Sequence, residues 1–212
     1  MERSLITALV RQFGQPRGTV GSAAGWVMAH RPSNRRRNLW AVSLLDLQPG
    51  ERVLEIGFGP GVAIAELSRR VGDSGRVHGV DHSDVMLRAA MRRNASAVAA
   101  GRVTLSRASV DRLPPSVDGP FDAILTVNSL GFWPEPAERL RELHGRLGPG
   151  GRIAIASQPR CRGATARTSR EAAREIEVQL ERAGYAEART ETLDLNPPVV
   201  CVVARRGVPA PM

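Results

Sequence analysis

A chain of 212 residues with 42% hydrophobic content suits one domain with a sizeable core, and no apolar run in it is long enough to span a membrane. The formal net charge is +9 and all 30 basic residues are Arg, which excludes Schiff-base, pyridoxal-phosphate and P-loop lysine chemistry. The Arg residues are spread along the chain, with clusters only at 35–37 and 160–170; that dispersion fits genomic composition better than a polyanion-binding face. Cys161 and Cys201 stand far apart, without metal-ligand spacing or a disulfide framework. The first ten residues lack a signal-peptide core and cleavage pattern, so the expected location is cytoplasmic.

In chain order, residues 1–15 read as a short helix. Residues 18–30 form a Gly- and Ala-rich helical stretch that ends before Pro32. Ser33 or Asn34 caps a helix to about Asp46, with Leu39, Val42, Leu45 and Leu47 as its apolar positions. Gln48-Pro49-Gly50 is a turn, and 52–56 is the first strand. Alternation follows: helix 62–71, strand 76–80, a helix from Asp84 to about Ala99 capped by Ser83, and strand 103–106. Residues 121–127 form an apolar strand buried on both faces; after it come helix 134–147, a turn at 148–151, strand 152–156, a polar loop and helix 169–183. The last two strands, 185–193 and 199–204, are separated by Asn196-Pro197-Pro198, too short for a crossover helix, and so pair antiparallel. The pattern predicts an α/β fold, a seven-stranded mainly parallel sheet with helices on both faces.

The centre of this pattern is Val53-Leu54-Glu55-Ile56-Gly57-Phe58-Gly59-Pro60-Gly61, a strand running through three alternate glycines into a helix. Glycines allow close approach to the main chain, and the helix aims unpaired N–H groups at the turn. No Lys-Ser/Thr follows Gly61, which excludes a Walker loop. Val62 occupies the position where a dinucleotide fingerprint needs a small residue. Glu55 would repel a pyrophosphate and attract an ammonium or sulfonium. Asp81, at the end of the second strand, is placed to accept both ribose hydroxyls. The expected ligand is therefore a cationic nucleoside without phosphates.

VLEIGFGPG, HGVDHSDVML, FDAILTVNSLGFWPEP and LGPGGRIAI resemble, in order and spacing, the class I S-adenosylmethionine-dependent methyltransferases, most of all the small-molecule type that includes ubiquinone and sterol methyltransferases. The resemblance covers roughly residues 35–205. It implies a single domain with a Rossmann-like three-layer sandwich over 48–206, whose last strand is antiparallel, and an N-terminal helical lid over 1–47. It implies S-adenosyl-L-methionine as cofactor, with Glu55, Gly57, Phe58, Gly59 and Gly61 around its methionine part. Asp81 falls to the ribose, and His82 and Met86 beside the adenine. Ser109 stands where the family usually has an Asp for the adenine amino group, with the Val110 main-chain N–H next to it. Asn128 sits at the methyl-transfer motif.

Methyl transfer is an in-line displacement, so the protein mainly positions and desolvates. The loop after the fourth strand, Leu130-Gly131-Phe132-Trp133, contains no His, and no catalytic base is assigned. His78 reads as core and His144 as solvated. Candidate acceptor-side residues are His30, Trp133 and Gln158. Phe132 and Trp133 read equally as pocket walls or as a cap on the next helix. Trp26, Met28 and Trp40, with Gly18, Gly21 and Gly25, suggest a mobile lid. Arg160, Arg162 and Arg167 fit either a carboxylate or phosphate of the acceptor or a solvated loop. The expected partner is a small-molecule methyl acceptor, with no membrane and no nucleic acid, and the expected state is a monomer or homodimer. Rival readings are an RNA or protein methyltransferase, a non-catalytic cofactor-binding protein and a nicotinamide oxidoreductase.

Overall fold

The computed structural model describes residues 32–207. The two helices expected over 1–30, with His30, Trp26 and Met28, lie outside the described residues. Helix α1 (Pro32–Ser43) leads to β1 (Arg52–Ile56), α2 (Val62–Val71), β2 (Arg76–Asp81), α3 (Asp84–Arg93), the short α4 (Ala95–Ala99) and β3 (Val103–Arg107). Then come β4 (Phe121–Val127), a 3₁₀ turn (Leu130–Phe132), α5 (Pro136–Arg146), β5 (Leu147–Ser157), α6 (Ala166–Arg182), β6 (Tyr185–Leu193) and β7 (Val199–Arg206).

The seven strands form one sheet in the order β3-β2-β1-β4-β5-β7-β6. Strands β1 to β5 pair parallel, and β7 runs antiparallel between β5 and β6, as expected. Alternate residues of each central strand feed two cores. Val53, Leu125, Ala154 and Cys201 pack beneath α1, α2 and α3. Leu54, Ile124, Ile155 and Val202 pack beneath α5 and α6, where Leu143, Ile176 and Leu180 close the layer. Cys161 is exposed and Cys201 is buried, and both are free. The order reverses between β1 and β4, and that crevice, at the carboxyl ends of the strands, is where open α/β sheets bind ligands.

Four local expectations are corrected. The helix from Asp84 breaks at Asn94, whose buried side chain donates to the carbonyls of Ala90 (2.9 Å) and Gly61 (3.2 Å). A side-chain amide that competes for backbone partners favours a helix end. Helix α5 begins at Pro136 rather than 134, behind the 3₁₀ turn. The turn expected at 148–151 lies inside β5, which already pairs with β4 at Leu147 and passes a register irregularity before Arg152. Helix α6 starts three residues early, because Thr165 and Thr168 form a reciprocal capping box.

Helix α1 descends antiparallel to the strands. Its amino end meets Gln158 at the carboxyl end of β5, while Arg152 at the other end holds the chain that follows α1. The buried stripe of this helix was expected to be apolar. It is polar above, with Asn34, Arg37 and Asn38, and apolar below, with Ala41 and Val42, whereas Leu39 is only half-buried.

Candidate active site

The glycine loop is fixed from four sides. Gly57 N–H donates to the Val80 carbonyl (2.7 Å), and Gly59 N–H to Asp81 Oδ2 (2.9 Å). Arg93 Nε reaches the Pro60 carbonyl (3.0 Å), and Asn94 holds that of Gly61. The three glycines have different physical reasons. A Cβ on Gly57 would meet Ser129 Oγ at 2.4 Å, and one on Gly61 would meet the Ala90 Cα at 2.9 Å. Gly59 has nothing within 4 Å of such an atom, so it alone faces open space. All three have positive φ. Gly61 also precedes α2 without any side-chain cap, so the first N–H groups of that helix remain for a ligand.

Glu55 is buried in the strand below this loop, and its Oε2 has no hydrogen-bond partner. Burial, reinforced by the nearby Asp81 carboxylate, pushes its pKa up to about 8. A buried carboxylate without a partner is costly unless a cation or donor meets it. Asp81 is also buried, and burial raises its pKa against the opposing hydrogen bonds from Ser83 N–H and Gly59 N–H. Its Oδ1 accepts from Ser83 N–H at 2.9 Å and its Oδ2 from Gly59 N–H, which leaves lone pairs on both oxygens. Capping of α3 falls to Ser83, whose hydroxyl accepts from Met86 N–H. These features fit a cationic nucleoside: a buried acceptor for positive charge, a carboxylate with spare acceptor capacity, an open glycine and free helix N–H groups.

The remaining expected residues fall as follows. Phe58 and Met86 are buried in the core beneath α2 and α3, with the Phe58 ring against Gly79, so Phe58 can meet a ligand only through its main chain. His82 follows Asp81 and is half-exposed, its Nδ1 3.8 Å from Asp81 Oδ1. Ser109 bonds the carboxylate of Asp111, which this contact holds below the usual range. The chain therefore carries a carboxylate two residues beyond the position where the family has one. Val110 is buried in the second core.

Trp133 is also buried in that core, and its indole N–H donates to Ser129 Oγ (2.9 Å), which pins Ser129 over Gly57. Phe132 is 64% exposed. Asn128 takes a left-handed backbone at φ 55°, and its Oδ1 accepts from Gln158 N–H (2.7 Å). Gln158 Nε2 donates to the Pro197 carbonyl (2.8 Å). His144 is not solvated: its ring packs edge-on against Tyr185, and burial lowers its pKa. Trp40 packs against the first core. Arg167 pairs with Glu171 on α6. Among the described residues no group of His, Cys, Asp and Glu is arranged to hold a metal, and no helix is long and apolar enough to cross a membrane.

Three features escaped the sequence reading: Asn94, Ser129 and the polar end of α1. Asn94 left a signal, being a poor helix former inside a predicted helix. Ser129 left none.

A methyltransferase domain family model matches residues 53–151. An uncharacterized methyltransferase, YdaC of Bacillus subtilis (strain 168), is 29% identical over 184 residues, 86% of this chain and 97% of that one. The ubiquinone/menaquinone biosynthesis C-methyltransferase UbiE of Azotobacter vinelandii is 33% identical over 120 residues, 55% of this chain, which spans about half of that relative (47%). The crystal structure of an S-adenosylmethionine-dependent methyltransferase from Aquifex aeolicus superposes with a TM-score of 0.66 at 23% identity, covering 82% of this chain and 93% of that one. With the glycine loop, Glu55 and Asp81 in place, the chain is similar to S-adenosylmethionine-dependent methyltransferases, in a matched domain over residues 53–151 and in its fold.

Proposed function

We propose that this chain is an S-adenosylmethionine-dependent methyltransferase acting on a small-molecule acceptor, that Glu55, Gly57, Gly59, Gly61 and Asp81 hold the cofactor, with His82, Met86, Ser109 and Val110 around its adenine, and that Asn128 stands between cofactor and acceptor at the methyl-transfer motif. The cofactor supplies an electrophilic sulfonium methyl; the acceptor's lone pair forms the new bond while the S–C electrons stay on sulfur. The observation that carries the cofactor assignment is the unpartnered Oε2 of buried Glu55, beneath a loop whose central glycine is open. Asp81 anchors the loop through Gly59 N–H and offers its spare lone pairs to a ribose. The short connection from β5 to α6 leaves no room for an added substrate domain, which supports a small acceptor. The name of the UbiE relative, a C-methyltransferase of quinone biosynthesis, points the same way. No His stands in the loop after β4, so the site favours an acceptor that is already nucleophilic or deprotonated.

Calorimetry with S-adenosylhomocysteine tests the cofactor residues. Asp81→Ala is expected to weaken binding about a hundredfold, since it removes charge-assisted bonds to the loop and the ligand. Unchanged binding would remove Asp81 from the site. Methyl transfer from labelled cofactor to small quinols and phenols, against bulk RNA as a control, tests the acceptor class; transfer to RNA alone would overturn it.

A further inference from the structure

Arg37 is a buried cation that lacks a carboxylate partner among the described residues. It is 3% exposed. Its Nη1 donates to Gln158 Oε1 (2.7 Å) and its Nη2 to Asn34 Oδ1, while Nε has no partner. Asn34 is held in turn by Asn38, whose Nδ2 donates to the Asn34 carbonyl at 2.8 Å. Every contact made by the guanidinium is thus to a neutral amide oxygen. Burial, together with the nearby positive Arg160, lowers its pKa to about 10.

A second unpartnered donor belongs to another side chain that contacts Gln158. Gln158 links Arg37 to Asn128 through its own backbone N–H, and Asn128 Nδ2 is buried without a partner. The two orphan donors belong to side chains that grip the same Gln158. The buried acidic side chains among the described residues, Glu55 and Asp81, lie at β1 and β2, whereas Gln158 ends β5, on the far side of β4. A buried, unneutralised guanidinium and a buried amide donor are costly when left unmet. They are complementary to one chemical feature, an anionic oxygen. The exposed Phe132 ring stands at this same carboxyl edge, four residues beyond Asn128.

We propose that Arg37 and Asn128 form an oxyanion-binding site that holds a carboxylate or phenolate oxygen of the methyl acceptor, so that the acceptors are small organic acids or ionised phenols. This rests on the methyltransferase reading above. It makes Arg37 a specificity-determining residue supplied by α1, outside the glycine loop and its carboxylates. The polar upper half of the α1 stripe then has a reason: Asn34 and Asn38 orient the guanidinium, and Ala41 and Val42 anchor the helix.

The experiment uses the full chain saturated with S-adenosylhomocysteine. Benzoate, 4-hydroxybenzoate and decanoate are titrated against benzamide, 4-hydroxybenzamide and decanamide, to about 10 mM, by ligand-observed NMR. At least one acid is expected to bind where its amide does not. Arg37→Leu is expected to weaken that acid about thirtyfold or more, and Arg37→Lys less, with S-adenosylhomocysteine affinity unchanged in both. Unchanged cofactor affinity also shows that the variants fold. If wild type fails to bind S-adenosylhomocysteine, the methyltransferase reading itself falls. If it binds the cofactor product but no acid, or acids and amides alike, the oxyanion site is wrong. If Arg37→Leu loses S-adenosylhomocysteine, Arg37 serves the methionine carboxylate, and the acceptor assignment is overturned.

Discussion

At the scale of single residues, Glu55 couples ligand binding to pH. Its pKa is raised to about 8 in the folded chain, above its value when unfolded. A raised carboxylate pKa means that the folded state holds the proton more tightly. Stability therefore falls as pH rises from the unfolded pKa towards about 8 and is level above it. A bound cation favours the ionised carboxylate, so cofactor affinity runs the other way. It is expected to rise with pH up to about 8. Asp81 is the charged neighbour that acts on Glu55, so the profile of Glu55→Gln measured beside wild type isolates the Glu55 contribution. A variant profile as steep as wild type would mean that Glu55 does not meet the ligand's charge. The glycines divide in the same way. Gly61→Ala is expected to destabilise by about 2–4 kcal/mol, from the positive φ and the contact with Ala90. Gly59→Ala is expected to cost only about 1 kcal/mol in denaturant unfolding yet to weaken the cofactor, because open space surrounds it.

At the scale of elements, α1 is held at both ends by polar contacts. Arg152 at the start of the regular part of β5 donates to both Glu51 carboxylate oxygens (2.8 and 2.9 Å) and to the carbonyls of Leu45, Asp46 and Asp122. Arg152→Ala breaks this largely buried pair and leaves three carbonyls unmet, and is expected to cost about 3 kcal/mol in urea unfolding. A loss below half a kilocalorie would show that the α1 connection is held by its apolar face alone. The same helix shows where sequence reading stops. The strand-glycine-helix unit was legible because its signals are local: four strand residues, alternate glycines, then a 3.6-residue apolar period. The α1 stripe was not, because periodicity counts apolar residues and treats Asn34, Arg37 and Asn38 as solvent-facing. Only tertiary contact with Gln158, 121 positions away from Arg37, reveals them as buried. Trp133 is similar. Whether it faced a pocket or the core depended on a hydrogen bond to Ser129 that no spacing rule encodes.

At the scale of the whole molecule, the sheet order places every expected cofactor residue at the carboxyl edge of β1, β2, β3 and β4 or just beyond it. Asn128 and Gln158 carry the site across to β5. Strand count, direction and the antiparallel return of β7 were legible, since alternation and a five-residue link allow few topologies. The expectation of S-adenosylmethionine was legible for a related reason: Glu55 and Asp81, carboxylates at the ends of the first two strands, are local signals that suit a cation and a ribose. The acceptor was not, because the residues that select it lie far apart in sequence and share no motif. The proposed chemistry requires the loop over Glu55 to take a sulfonium nucleoside in place of a dinucleotide. Isothermal calorimetry of the full chain with S-adenosylhomocysteine and with NAD decides this directly. One S-adenosylhomocysteine bound per chain and no heat from NAD are expected; saturable NAD binding without S-adenosylhomocysteine binding would overturn the cofactor assignment.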